Sequence, residues 1–180
     1  MDDEDVRRER FFEVADRAYE HSARADEIIK GNITYLSDTG QLPPWVTRVP
    51  VPPAAIHELH LAAARYHEAL LLVTEENGPS YPHTHTQLGA VYVRLEILDR
   101  AFHHLVEAIR VSEAMGYRRE AGRSRENLAR LHFYKGQRYH DAFVQARAAL
   151  AHFQSCGPET TGDVERMQEL LADISAHLRR

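Results

Sequence analysis

The chain has 180 residues, 43% apolar and 27% charged, with a formal net charge of −5. That length supports one domain with a hydrophobic core, the composition is that of a folded chain, and the acidic balance disfavours a general nucleic-acid binder. One cysteine, Cys156, excludes an internal disulfide and points to a reducing, cytoplasmic setting. The acidic start, Met1 to Asp5, does not read as a secretory signal, and no run approaches the ~18 apolar residues of a membrane span. Lysine occurs only at Lys30 and Lys135, against many arginines, which suggests a GC-rich bacterial gene.

Taken in order, residues 1–40 predict an amphipathic N-terminal helix over Asp2 to Leu36. Phe11, Val14, Ala18, Ala25, Ile28 and Ile29 recur mostly at three- and four-residue steps, and the acids at its start suit the positive end of the helix dipole. Such a stripe needs cover, either from the rest of this chain or from a second copy in a homo-oligomer. Residues 41–53 form a strap with Pro43, Pro44, Pro50, Pro52 and Pro53, where helix is disfavoured, and Trp45 is its anchor or a partner contact. Residues 54–180 then read as a helical domain. Helices are expected at Ala54 to Asn77, His83 to Glu96, Leu98 to Met115, Arg118 to Tyr134, Tyr139 to Gln154 and Asp163 to Leu178. A turn cluster at Gly78 to Pro82 separates the first two, and Gly116 and Gly136 mark later helix ends.

Small residues recur at fixed steps: Gly89 and Ala129 are 40 apart, while Ala101 and Ala142, and Ala108 and Ala149, are 41 apart. The segments Leu88-Gly89-Ala90-Val91-Tyr92, Ala101 and Ala108-Ile109 are followed by Leu128-Ala129, Ala142 and Ala149-Leu150, with one residue inserted between Gly136 and Tyr139. Small residues let helices approach while large ones fill the gap beside them. In these motifs the chain resembles the tetratricopeptide repeat family, in a longer bacterial-type repeat. The resemblance implies an all-α solenoid of helical hairpins, with the N-terminal helix as an addition and the last helix as a cap. Tyr66-His67-Glu68-Ala69 parallels Tyr139-His140-Asp141-Ala142 and marks a degenerate first repeat.

The resemblance further implies a non-enzymatic scaffold or adaptor that binds a partner protein or peptide on its concave face. Projecting that face selects His83, Gln87 and Arg94 in one unit and Arg123, Asn127, Arg130 and Tyr134 in the next. The amides of Gln87 and Asn127 suit a partner's main chain, and the three arginines suit its acidic groups. The alternative is a nucleic-acid-binding regulatory subunit using the basic cluster from Arg118 to Arg130. No cofactor or metal is expected. His57 with His60, and His83 with His85, lack the accompanying carboxylate or cysteine spacing of a metal site and read as surface histidines. Cys156 near His152 lacks the third orienting group and oxyanion donors of a nucleophilic site, and no glycine-rich phosphate loop is present, so no enzymatic activity is expected.

Overall fold

The computed structural model describes residues 3–38 and 50–179. Trp45 and Pro43–Pro44, the centre of the expected strap, lie outside the described residues. Among those described the chain is all-helical and contains no strand. The first helix, α1 (Asp3–Asp38), carries Asp3, Glu4 and Asp5 in its first turn, where the exposed amides attract negative charge. Its buried positions Phe11, Val14, Ala18, Ser22 and Ala25 fall on one face. Gly31 and Asn32 do not end it.

Helix α2 (Pro53–Leu70) starts on a proline, whose fixed φ and missing amide hydrogen suit a first helical turn. It runs antiparallel to α1. Arg7 of α1 donates to the Leu72 carbonyl just past the α2 C-terminus at 2.9 Å, while His21 meets Glu58 near the other end at 2.7 Å. The apolar stripe of α1 is thus covered within the chain, by α2 and its neighbours. Helix α2 stops at Leu70 rather than at the expected Asn77, and the following loop closes on itself through the Thr74 amide donating to Asn77 Oδ1 at 2.6 Å.

Helix α3 (Ser80–Arg94) begins inside the expected turn cluster, with Pro82 in the first turn, where no intrahelical donor is lost. It is followed by α4 (Leu98–Ala114), α5 (Arg118–Arg130), α6 (Tyr139–Gln154) and α7 (Thr161–Leu178).

Three of the connections share one backbone conformation. A left-handed residue (Glu96 at φ 61°, Gly116 at 76°, Gln137 at 50°) precedes one near φ −90° and ψ 71° (Ile97, Tyr117, Arg138). The Ile97 amide donates to the Tyr92 carbonyl at 3.0 Å and that of Tyr117 to Ser112 at 2.8 Å, each spanning five residues as in a Schellman motif. The third such bond, Arg138 to His132 at 2.9 Å, spans six. The inserted residue is absorbed by a π-helical turn at Leu131–Lys135, which finishes α5. Gly136 consequently takes a negative φ of −95°, and the left-handed position expected of it falls to Gln137.

Alternate helices meet through side chains. Thr86 on α3 and Ser124 on α5 share a buried hydroxyl pair at 2.7 Å, Arg94 on α3 donates to Ser22 on α1 at 2.5 Å, and Arg166 on α7 reaches Glu126 on α5 at 3.3 Å. Helices α1, α3, α5 and α7 therefore lie side by side in one layer. Helices α2, α4 and α6 form a second layer, tied in part by His152 to Glu113 at 3.1 Å. Met167, Leu170 and Ile174 of α7 are buried while Glu165, Gln168, Glu169 and Asp173 are exposed, so the last helix closes the core with a polar outer face.

Two glycines in helix interiors have opposite surroundings. A Cβ on Gly89 would lie 2.7 Å from Leu105 Cγ, a fully buried side chain on α4, whereas one on Gly31 would meet nothing within 4 Å. Gly89→Ala is expected to destabilise the chain by about 1–3 kcal/mol through overpacking. Gly31→Ala should stabilise α1 by up to about 1 kcal/mol through helix propensity. Urea midpoints of the two variants check this pair, and shifts of the same sign would contradict it.

Candidate functional site

The layer of odd-numbered helices carries a cleft of about 420 Å³. One wall is α1, with Phe12, Ala15, Asp16 and Tyr19. Tyr66 of α2 is at its base. The opposite wall is built from Ser80, His83 and Thr84 of α3 together with Glu120 and Arg123 of α5. Phe12 and Tyr19 are seven residues apart on α1, two helical turns, and so share a face. They remain 48% and 65% exposed, although neighbouring Phe11 is buried in the core.

Across the cleft the charged groups are paired within the chain. Glu120 accepts from Arg123 Nη1 at 3.0 Å and meets His83 Nδ1 at 3.0 Å. Burial works to raise the Glu120 carboxyl, but the His83 hydrogen bond and the nearby positive charge of Arg123 outweigh it and hold its pKa below the ordinary carboxylate range. At the base, burial raises the Tyr66 hydroxyl to about 12, so it stays neutral and can donate a hydrogen bond. Asp16 is exposed on the rim and has no ion-pair partner among the described residues.

The expected site residues separate into groups. His83 and Arg123 line the cleft. Gln87 lies one turn beyond His83, with Nε2 3.4 Å from its Nε2. Asn127 is partly buried, and its amide has no hydrogen-bond partner among the described residues. Arg130 donates to Glu126 at 3.1 Å, and Glu126 is shared with Arg166 of α7. Tyr134 sits exposed in the π-helical turn. Arg94 is drawn off by α1, where it bonds Ser22 and pairs with Asp26. Phe12, Tyr19, Tyr66 and Glu120 were not among the expected site residues. The i, i+7 spacing of Phe12 and Tyr19 was the available signal, but α1 read as an addition to the repeats rather than as a wall of the site.

A second cluster corrects the reading of the histidines as surface groups. His85 and His104 are only 6% and 7% exposed, between α3 and α4, with their Nδ1 atoms 2.9 Å apart. One ring must supply the Nδ1 hydrogen and the other accept it, which requires a neutral acceptor. Tyr92 stacks on His104 at a ring separation of 5.6 Å, and its hydroxyl contacts His67 Nε2 at 2.8 Å while accepting from Arg100 at 3.3 Å. Burial depresses His85 to about 4 and His104 to about 3. His132 is also buried, with Nδ1 unpartnered among the described residues. By contrast His57, His60 and His103 are exposed. No group of three or more potential metal-ligating side chains occurs among the described residues.

None of the described helices is long and apolar enough to cross a membrane. Compared with known proteins, the chain matches no family model, no curated protein and no solved structure.

Proposed function

We propose that this chain is a non-enzymatic scaffold, a tetratricopeptide-like stack of helical hairpins that docks a partner protein or peptide on the layer formed by α1, α3 and α5. The observation that carries this reading is the cleft itself, where two exposed aromatic rings share the lining with a partly buried and fully paired carboxylate. Exposed aromatic side chains in a concave setting are common anchors of binding energy. The recurrent turn conformation and the 40- to 41-residue steps support the hairpin stack. In the basic cluster of the nucleic-acid alternative, Arg123, Arg125 and Arg130 are paired with Glu120, Glu113 and Glu126, which leaves Arg118 and Arg119 as its exposed members without an ion pair among the described residues.

The test is retention of a native partner by the wild-type chain and by a variant combining Arg123→Ala, Asn127→Ala and Arg130→Ala. The fold should survive, because Glu120 keeps His83 and Glu126 keeps Arg166. Loss of the partner with an unchanged circular dichroism spectrum is the expected result. Asn127→Ala alone should cost about 0.5–1.5 kcal/mol of affinity, the worth of one neutral hydrogen bond. Equal retention by wild type and triple variant would move the site to another surface.

A further inference from the structure

We infer that the cleft takes a bulky aromatic or aliphatic side chain of the partner, flanked by a basic residue, rather than an acidic segment. This rests on the concave-face reading above and refines it. The walls decide the first half. Phe12 and Tyr19 expose large parts of their rings toward solvent, Ala15 leaves room between them, and Tyr66 floors the space. A hollow of about 420 Å³ with such walls has room for one or two large side chains. Covering exposed aromatic carbon is worth about 25 cal/mol per Å², whereas a charge placed there would lose its hydration.

The ion pairs decide the second half. An acidic partner needs an uncommitted cation, and the cationic side chain lining the cleft, Arg123, already donates to Glu120. Arg94 and Arg130 are likewise engaged, by Asp26 and Glu126. The uncommitted charge on the lining is the Asp16 carboxylate, exposed at the rim between Phe12 and Tyr19 in sequence. Two carboxylates on the lining, Asp16 and Glu120, thus stand against one guanidinium, Arg123. An arginine or lysine beside the anchor would meet Asp16 and lie along the aromatic faces. Phe12 already accepts a guanidinium in this way: Arg8 lies 5.9 Å from its ring centre, on the side of α1 toward its N-terminus.

The experiment is selection of phage-displayed random twelve-residue peptides on the full chain, followed by affinity measurement on synthetic copies of the enriched sequences. Enrichment of an aromatic or large aliphatic residue next to arginine or lysine is expected. Phe12→Ala and Tyr19→Ala should each weaken those peptides roughly tenfold or more, with unchanged circular dichroism because both rings are exposed. Asp16→Asn should weaken them roughly threefold at low salt and flatten their salt dependence. Val144→Ala, an exposed change on α6 in the other layer, should have no effect.

Enrichment of acidic peptides, an empty selection, or peptides indifferent to Phe12→Ala and Tyr19→Ala would each overturn the inference. In the last case the two readings separate. If Asn127→Ala weakens the peptides while Tyr19→Ala does not, the concave face still binds and only the aromatic anchor falls. If the peptides cross-link to α4 and α6 alone, both readings fall.

Discussion

Phe153→Ala is expected to cost about 3–5 kcal/mol of unfolding free energy, the range for removing a fully buried aromatic ring. The ring has no solvent exposure and belongs to the cluster that joins α5, α6 and α7 through Ala129, Ala146, Met167, Leu170 and Ile174. It lies against Gly122 of α5 so closely that a Cβ there would stand 2.7 Å from Phe153 Cε1. The Phe153 carbonyl also accepts from the buried Thr160 hydroxyl at 2.6 Å, so the residue helps position the start of α7. Helix α5 cannot close the space left by alanine, because the glycine facing it has no side chain to offer. A stability of about 5–15 kcal/mol is usual for a domain, so this one change removes a large share. The reverse fault, Gly122→Ala, should cost about 1–3 kcal/mol by overpacking. Combining Gly122→Ala with Phe153→Leu should cost less than the sum of the two single changes, because a smaller side chain makes room for the added methyl. Guanidinium midpoints followed by circular dichroism check all four variants, Phe153→Leu alone included. Strict additivity would show that the two residues do not share a packing constraint.

The second large effect is with pH. Unfolding is expected to become easier by about 2–4 kcal/mol between pH 7 and pH 5, from the His85–His104 pair. Both rings have folded-state pKa values below the ordinary 6.5, about 4 and about 3, chiefly because burial penalises the charged form. As pH falls the unfolded chain therefore takes up protons first. The contribution is intact above about pH 6.5 and drains away until the folded-state values are reached. The surroundings mostly reinforce this. His67 on α2 and His103 and Arg100 on α4 add positive charge, and Glu107 opposes them at His85. Tyr81 and Tyr92 on α3 cover the rings. His67 and His132 are also lowered by burial and act in the same direction. The carboxylates with depressed values, Glu58, Glu68, Glu107, Glu113 and Glu120, start from 4.5 and contribute losses only at lower pH. The interval from pH 7 to 5 thus belongs to the histidines. Urea midpoints should fall across it in the wild type and much less in a His85→Leu, His104→Leu variant. Equal falls in both proteins would place the acid sensitivity elsewhere.

The helices and their order along the chain were legible from local sequence. Phe11, Val14, Ala18 and Ala25 mark the buried face of α1, and Ala101, Ala142, Ala108 and Ala149 are all buried where α4 and α6 pack against the odd-numbered helices. Such positions are legible because helical periodicity and side-chain size are local properties of the chain. Helix ends were less legible. Pro82 read as a breaker, yet a proline in the first turn loses no hydrogen bond, and Glu96 and Gln137 hold left-handed positions that a glycine would have announced. The extra residue near Gly136 was visible as an insertion, but not its accommodation as a π-helical turn at Leu131–Lys135.

The cleft was decided by tertiary structure. His83 and Arg123 were legible from their shared face, whereas Tyr19 and Tyr66 reach the cleft because α1 folds back along α2, a contact between residues far apart in sequence. The same is true of Arg94, which reads as a free cation until Ser22 and Asp26 are brought to it. The fate of the histidines was tertiary too. His103 and His104 are neighbours in sequence, yet His104 is buried against His85 of α3 and His103 is left in water. Periodicity records which residues face inward, but the charge a buried group can carry depends on what the neighbouring helix places against it.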